Sequence, residues 1–191
     1  MASVATKPIT AEEFYDFANR PENRDRHFEL EDGEIVEMSR PGRLHGVVCG
    51  NTVWLFGGYT RKIKRGHVCS NDAGLIVKRR PDTVRGPDIS LFMENKKYEK
   101  LERKYPKSLP AVIVEVLSPN DRLGKIIRRI ERFLAKGVQL AWLIDPESRN
   151  VMIFRKNQAP YVLEEGQVIA DLPELPGFRC RVAELFEVNE D

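Results

Sequence analysis

The stretch PAVIVEVLSP (110–119) is apolar almost throughout, with Glu115 in its middle. A continuous apolar run bounded by prolines predicts a strand buried on both faces. An unpaired carboxylate in such a strand is costly or takes up a proton, so Glu115 needs a partner. The next segment changes period. NDRLGKIIRRIERFLAKG carries Ile126, Ile127, Ile130, Phe133 and Leu134 on one helical stripe, with Asn120 or Asp121 as cap and Gly137 as stop. RLHGVVCGNTVWLFGGYTRKIKR has a looser helical pattern at Leu44, Val47, Val48, Val53, Leu55 and Phe56. Its glycines 46, 50, 57 and 58 weaken that helix or mark close packing.

Shorter elements surround these. Thr10 with Glu13 three residues on is a capping box opening a helix. Asp32-Gly33 between two extended runs predicts a hairpin. HVCSNDAGLIVKRR predicts one or two strands broken near Asn71–Gly74, and GPDISLFMENK a strand begun by Pro87. KKYEKLERKYPKS is polar, a surface loop with a helical turn. QLAWLIDPESRNVMIFR predicts two strands about a turn at Asp145-Pro146, and YVLEEGQVI a hairpin about Glu165-Gly166. The strand–helix–strand unit of 111–144 requires a right-handed crossover to a parallel neighbour. The expectation is one α/β domain over 1–191, a mixed central sheet flanked by helices with added antiparallel hairpins.

Composition narrows the picture. Apolar residues make up 41% of the chain and charged ones 31%, as in an ordinary soluble domain. No apolar run is long enough to span a bilayer, and the N-terminus lacks the apolar core of a signal peptide. Three scattered cysteines with no CxxC argue against a zinc motif or disulfide framework, so a cytoplasmic setting is expected. The net charge is only +2, yet residues 61–136 hold 20 basic and 9 acidic groups, a net of +11. That points to a polyanion partner, unless the segments form solvated faces unrelated to one another.

Glu115 shares a strand face with Ile113 and Leu117, because side chains alternate. Asp88 opens another apolar strand, and the two acids approach one another if those strands are neighbours. Close carboxylates repel unless a cation lies between them. Magnesium is one solution; the other is a buried arginine beside Glu115, or a solvated strand end. Glu29, between Phe28 and Leu30, faces away from both, and on a half-exposed hairpin it is solvated by default.

The pieces FELEDGEIVEMSRP, His45 at the start of the long helix, GPDISLF, VIVEVLSPNDRLGKIIRRIERFLAKGV and AWLIDPESRNVMIF together resemble the PD-(D/E)XK nuclease-like superfamily, and within it the Uma-two family of restriction endonucleases. The resemblance covers nearly the whole chain. It implies a restriction-endonuclease-like core, hydrolysis of phosphodiester bonds in nucleic acid, DNA above all, and magnesium, with manganese as an alternative, at an acidic cluster. It makes Asp88 and Glu115 the metal-binding pair and Glu29 the additional upstream acid. The superfamily lysine belongs two residues after Glu115, where Leu117 stands. In this family it resembles one moved to the following helix, about where Arg129 lies, with Lys125 one turn earlier on the same face. Arginine stays protonated, so it stabilises charge rather than acting as a base. Basic groups in 61–65, 78–85 and 96–107 are expected on the nucleic-acid backbone, with steep salt dependence. A homodimer is expected, with the apolar C-terminal hairpins as its contact.

Other candidates are weaker. His27, His45 and His67 lack metal-ligand spacing, and His45 suits packing or lining a cleft. Trp54, Phe56, Tyr59 and Trp142 suit a core or an interface better than a base-stacking platform. Ser118 lacks the GxSxG of a serine nucleophile.

Overall fold

The computed structural model describes residues 7–188. Thr10 caps the first helix, α1 (Ala11–Ala18), with both bonds of the capping box present. A hairpin follows, β1 (His27–Glu31) and β2 (Glu34–Met38). Asp32 and Gly33 turn it at φ 50° and 84°, the positive pair that a tight two-residue turn needs. The long helix α2 (Arg43–Ile63) is unbroken despite four glycines. A side chain at Gly46, Gly50, Gly57 or Gly58 would meet open space, so close packing is not their reason. Then come β3 (His67–Ser70) and β4 (Leu75–Lys78). Between them Asn71 and Asp72 are both left-handed, at φ 63° and 53°. The short β5 (Thr83–Arg85), unforeseen in the sequence pattern, precedes β6 (Ile89–Phe92).

The run about Glu115 forms β7 (Val112–Val116), buried at every position. It leads through α3 (Leu123–Lys136) to β8 (Leu140–Asp145), parallel to β7 as the crossover requires. Then follow β9 (Asn150–Phe154), β10 (Tyr161–Glu164), β11 (Val168–Ile169) and β12 (Cys180–Arg181), with a helical turn at Val182–Leu185. The central sheet has the order β10-β9-β8-β7-β6-β3, and only its β7–β8 pair is parallel. A second, antiparallel sheet runs β2-β1-β5-β4, and β11 pairs with β12.

Two expectations fail locally. The hairpin expected about Glu165-Gly166 does not form: β10 pairs with β9, and β11 pairs with β12. The tight turn is there, with Gln167 N–H donating to Glu164 O at 2.8 Å, but the chain leaves the sheet at that point. Nor does Asn120 or Asp121 cap α3. The cap is Arg122, without a side-chain bond, because the Asp121 carboxylate accepts from Ser118 N at 2.8 Å instead. Gly137, at φ 121°, ends the helix as expected.

Alternation along β7 decides what each face of the central sheet meets. Val112, Val114 and Val116 join Phe56 and Trp142 in a core under α2 and the C-terminal segment. Ile113 and Leu117 join Ile130, Phe133 and Leu134 of α3 in a second core. Glu115 belongs to this second face by the same period of two. That places a carboxylate directly beneath the polar flank of α3.

Candidate functional site

β6 and β7 run antiparallel with Ile89 opposite Val114, which brings Asp88 to the level of Glu115. Asp88 Oδ2 accepts a hydrogen bond from Val116 N at 2.7 Å. Its other oxygen lies 3.3 Å from His45 Nε2, at the start of α2. Glu115 is 6% exposed, and so is Glu29, which the second sheet delivers to the same place. The solvated Glu29 that a half-exposed hairpin suggests is therefore not found.

Arg129 ties these acids together. Its Nε donates to Glu115 Oε1 at 2.7 Å, Nη1 to Glu29 at 2.7 Å, and Nη2 to the Gly86 carbonyl at 2.6 Å. The buried arginine weighed for Glu115 is thus present, and it serves two acids at once. A second guanidinium, Arg85, bridges Glu29 and Glu31. Gly86 N–H donates to Glu29 Oε1 at 3.1 Å. A side chain at Gly86 would run into the backbone of Asp72, so only glycine lets the two loops close over this cluster.

The acids and Arg129 line one polar cavity of about 410 Å³, together with His45 and Asp72. Charge within it is uneven. The Glu29 side faces two guanidiniums. On the other side, the described basic groups beside Asp72, Asp88 and Glu115 are the Arg129 Nε on Glu115, the ring of His45 on Asp88 and the ring of His27, 3.7 Å from Asp72. Burial pushes the Glu115 carboxyl up to about 8, with Asp88 adding to the push and Arg129 opposing it. Burial and then the Asp88 charge also raise Asp72. For His45 burial works against the charged ring, but the Asp88 carboxylate and Cys49 together outweigh it and hold the imidazole above its ordinary value.

The donor set fits a hard divalent cation. Glu115 spends Oε1 on Arg129 and its other oxygen has no hydrogen-bond donor among the described residues. Asp88 Oδ1 has only the long contact to His45. Two carboxylates opening on a polar cavity, with room for water and a phosphate, match what magnesium asks of a protein.

The structure thus brings Glu29, Asp88, Glu115 and Arg129 together. Lys125, expected beside Arg129, is exposed and does not line the cavity. The basic segments 61–65, 78–85 and 96–107 do not line it either, apart from residues flanking them, and several of their cations are engaged locally. Lys78 pairs with Asp32, Arg79 with Glu12 and Asp82, and Lys96 with Glu102. Sequence reasoning missed Asp72, which enters the cavity through the left-handed turn after β3. It also missed Arg85 as the partner of Glu29. No spacing signal marks either one. Phe56, Tyr59 and Trp142 are core residues, but Trp54 is 74% exposed.

Comparison with known proteins agrees with this architecture. The Uma2 family, described as "Putative restriction endonuclease", matches residues 11–183. The chain belongs to the Uma2 family. No curated protein matches it. Among solved structures, it is similar to a protein of Anabaena variabilis described as "a putative nuclease belonging to DUF820". The TM-score is 0.78 at 21% identity, over 94% of this chain and 98% of that one. The two share a fold, and the mixed α/β class expected of the sequence is the one found. Among the described residues no helix is long and apolar enough to cross a membrane.

Proposed function

We propose that this protein is a divalent-metal-dependent endonuclease that hydrolyses phosphodiester bonds, with DNA as its substrate and magnesium or manganese as its cation. The observation that carries the reading is the unbalanced acidic side of the cavity. Asp88 and Glu115 open on the same cavity; Arg129 pairs with Glu115 Oε1 as well as with Glu29, which leaves the second Glu115 oxygen and Asp88 Oδ1, 3.3 Å from His45 Nε2, turned to a cation. The family description and the nuclease-like fold support the same reaction class.

Asp88 and Glu115 hold the cation. A divalent ion held by these two carboxylates would supply Lewis-acid activation of phosphate and water. The Val116 N–H fixes the Asp88 carboxylate, and Arg129 fixes one oxygen of Glu115, so the other oxygens are aimed in advance. Glu29 holds Arg129 from the opposite side. Arg129 spends three of its five N–H donors on protein acceptors. Arg129 also lines the cavity, so its remaining donors would be at hand for charge developing on a phosphate bound there. Arg129 does not remove a proton, because its guanidinium stays charged.

One observation favours a second reading. A guanidinium already spans Glu29 and Glu115, as it would in a binding module on a nuclease fold whose catalysis has weakened. The two readings separate in a plasmid-nicking assay with Mg²⁺ or Mn²⁺. The endonuclease relaxes supercoiled DNA, and Asp88→Ala or Glu115→Ala abolishes this. No cleavage by the wild type, or cleavage that survives both changes, contradicts the hydrolytic reading.

A further inference from the structure

A second cluster touches the acidic cavity from its α2 side. His45 and Cys49 are one helical turn apart, so their side chains share a face. His45 Nδ1 lies 3.5 Å from Cys49 Sγ, and Nε2 lies 3.3 Å from Asp88 Oδ1. One ligand atom from each of His45, Cys49 and Asp88 can be chosen so that all lie within 4.8 Å of one another. Ligand atoms about 2.0–2.3 Å from a tetrahedral zinc ion are about 3.3–3.8 Å apart. Small side-chain rotations therefore close the triangle. His45 and Asp88 both line the cavity, which gives a cation a route to this cluster.

The chemistry of this set differs from that of the Asp88–Glu115 pair. Sulfur and imidazole select borderline or soft cations, whereas magnesium selects oxygen. We infer that His45, Cys49 and Asp88 form a binding site for a thiophilic divalent cation of the zinc, cadmium or cobalt type. Coordination forms a metal–sulfur and a metal–nitrogen bond and releases two protons to solvent, that of the Cys49 thiol and the one that Asp88 holds on the His45 ring, with no change of oxidation state. His45 contributes one ring nitrogen as a neutral ligand, and Asp88 one carboxylate oxygen. The site needs no nucleic acid and does not depend on the hydrolytic reading, although it shares Asp88 with it.

Cobalt(II) reports on this directly. Titrating the metal-free, reduced protein with Co²⁺, in the absence of magnesium and DNA, is expected to give a sulfur-to-cobalt charge-transfer band that saturates at one equivalent. Cys49→Ser removes the band, whereas Cys69→Ser keeps it. His45→Ala and Asp88→Asn weaken Co²⁺ binding by about tenfold or more. In the wild-type chain, Cd²⁺ slows alkylation of Cys49 and leaves that of Cys69 unchanged, which tests the site without any substitution. Absence of the band in the wild type, its persistence in Cys49→Ser, or equal effects of Cd²⁺ on both cysteines would overturn the proposal.

Discussion

Arg129 Nε and Glu115 Oε1 meet at 2.7 Å across the contact between α3 and β7. This bond joins the polar flank of one helix to the middle of a strand buried on both faces. Because Nη1 of the same guanidinium reaches Glu29, the bond also couples the central sheet to the second sheet. Removing one partner of a buried ion pair strands the other charge, at about 3–5 kcal/mol. For 191 residues that corresponds to a fall of about 6–20 °C in Tm. Arg129→Ala is expected in that range by thermal unfolding. Arg129→Lys keeps a charge but cannot span three acceptors, so it falls in between. A loss under about 1 kcal/mol for Arg129→Ala would place the pair among weakly coupled surface ions.

Lys125 stands one turn from Arg129 yet is exposed. Exposed substitutions away from special features stay within about 0.5 kcal/mol. Lys125→Ala is expected to melt like the wild type and to cleave DNA within about twofold of it, whereas Arg129→Ala cleaves far more slowly, by about 10²-fold as for a lost charge-stabilising donor. Initial rates on one plasmid substrate compare the two. A large loss in Lys125→Ala would return the superfamily lysine's role to that position.

Asp82 gives the acid stability of the fold a specific origin. Its buried carboxylate accepts from Ala11 N at 2.8 Å, Arg80 N at 3.1 Å and Arg79 Nη1 at 2.7 Å, pinning the start of α1 to the loop before β5. Burial opposes its ionisation, but these donors outweigh burial and hold it below the ordinary 3.8. A lowered folded pKa means that the unfolded chain binds the proton first as pH drops. The stabilisation is complete above the ordinary value and is lost as pH falls through the lowered one. Asp82→Asn should cost about 1–3 kcal/mol at pH 7 and flatten the acid limb of a denaturant-unfolding series between pH 7 and 2. An unchanged acid limb would refute this origin.

Trp54 and Phe56 lie two residues apart on α2 with opposite fates. Phe56 is fully buried, its ring centroid 5.0 Å from that of Trp142, while Trp54 is 74% exposed. Phe56→Ala is expected to cost about 3–5 kcal/mol. Trp54→Ala should stay within about 0.5 kcal/mol. Urea unfolding of both variants checks the contrast, and a large loss at Trp54 would contradict the exposure found.

Much of this architecture was legible where the signal was local and periodic. The strand around Glu115, the stripe of α3 and the capping box at Thr10 each rest on spacing alone, and each forms. What failed depended on partners distant in sequence. The turn at Glu165-Gly166 exists, but pairing is decided by β9 and β12, which claim the flanking strands. The amphipathic pattern of α2 runs close to Trp54 without telling which face sees the core. In the site, Asp88, Glu115, Glu29 and Arg129 were reachable through the family resemblance and do converge. Asp72 and Arg85 were not, because a left-handed turn and a three-residue strand carry no motif. A buried arginine beside Glu115 was one of three alternatives left open, and its second bond, to Glu29, was not foreseen because Glu29 comes from a different sheet.

The central claim is that Asp88 and Glu115 hold a divalent cation despite the guanidinium beside them, and Mn²⁺ binding tests it most directly. Titration followed by the paramagnetic resonance of free Mn²⁺ is predicted to show saturable binding by the wild type. Asp88→Asn and Glu115→Gln should each weaken it by about tenfold or more. No saturable binding by the wild type, or binding undiminished in both variants, would contradict the account.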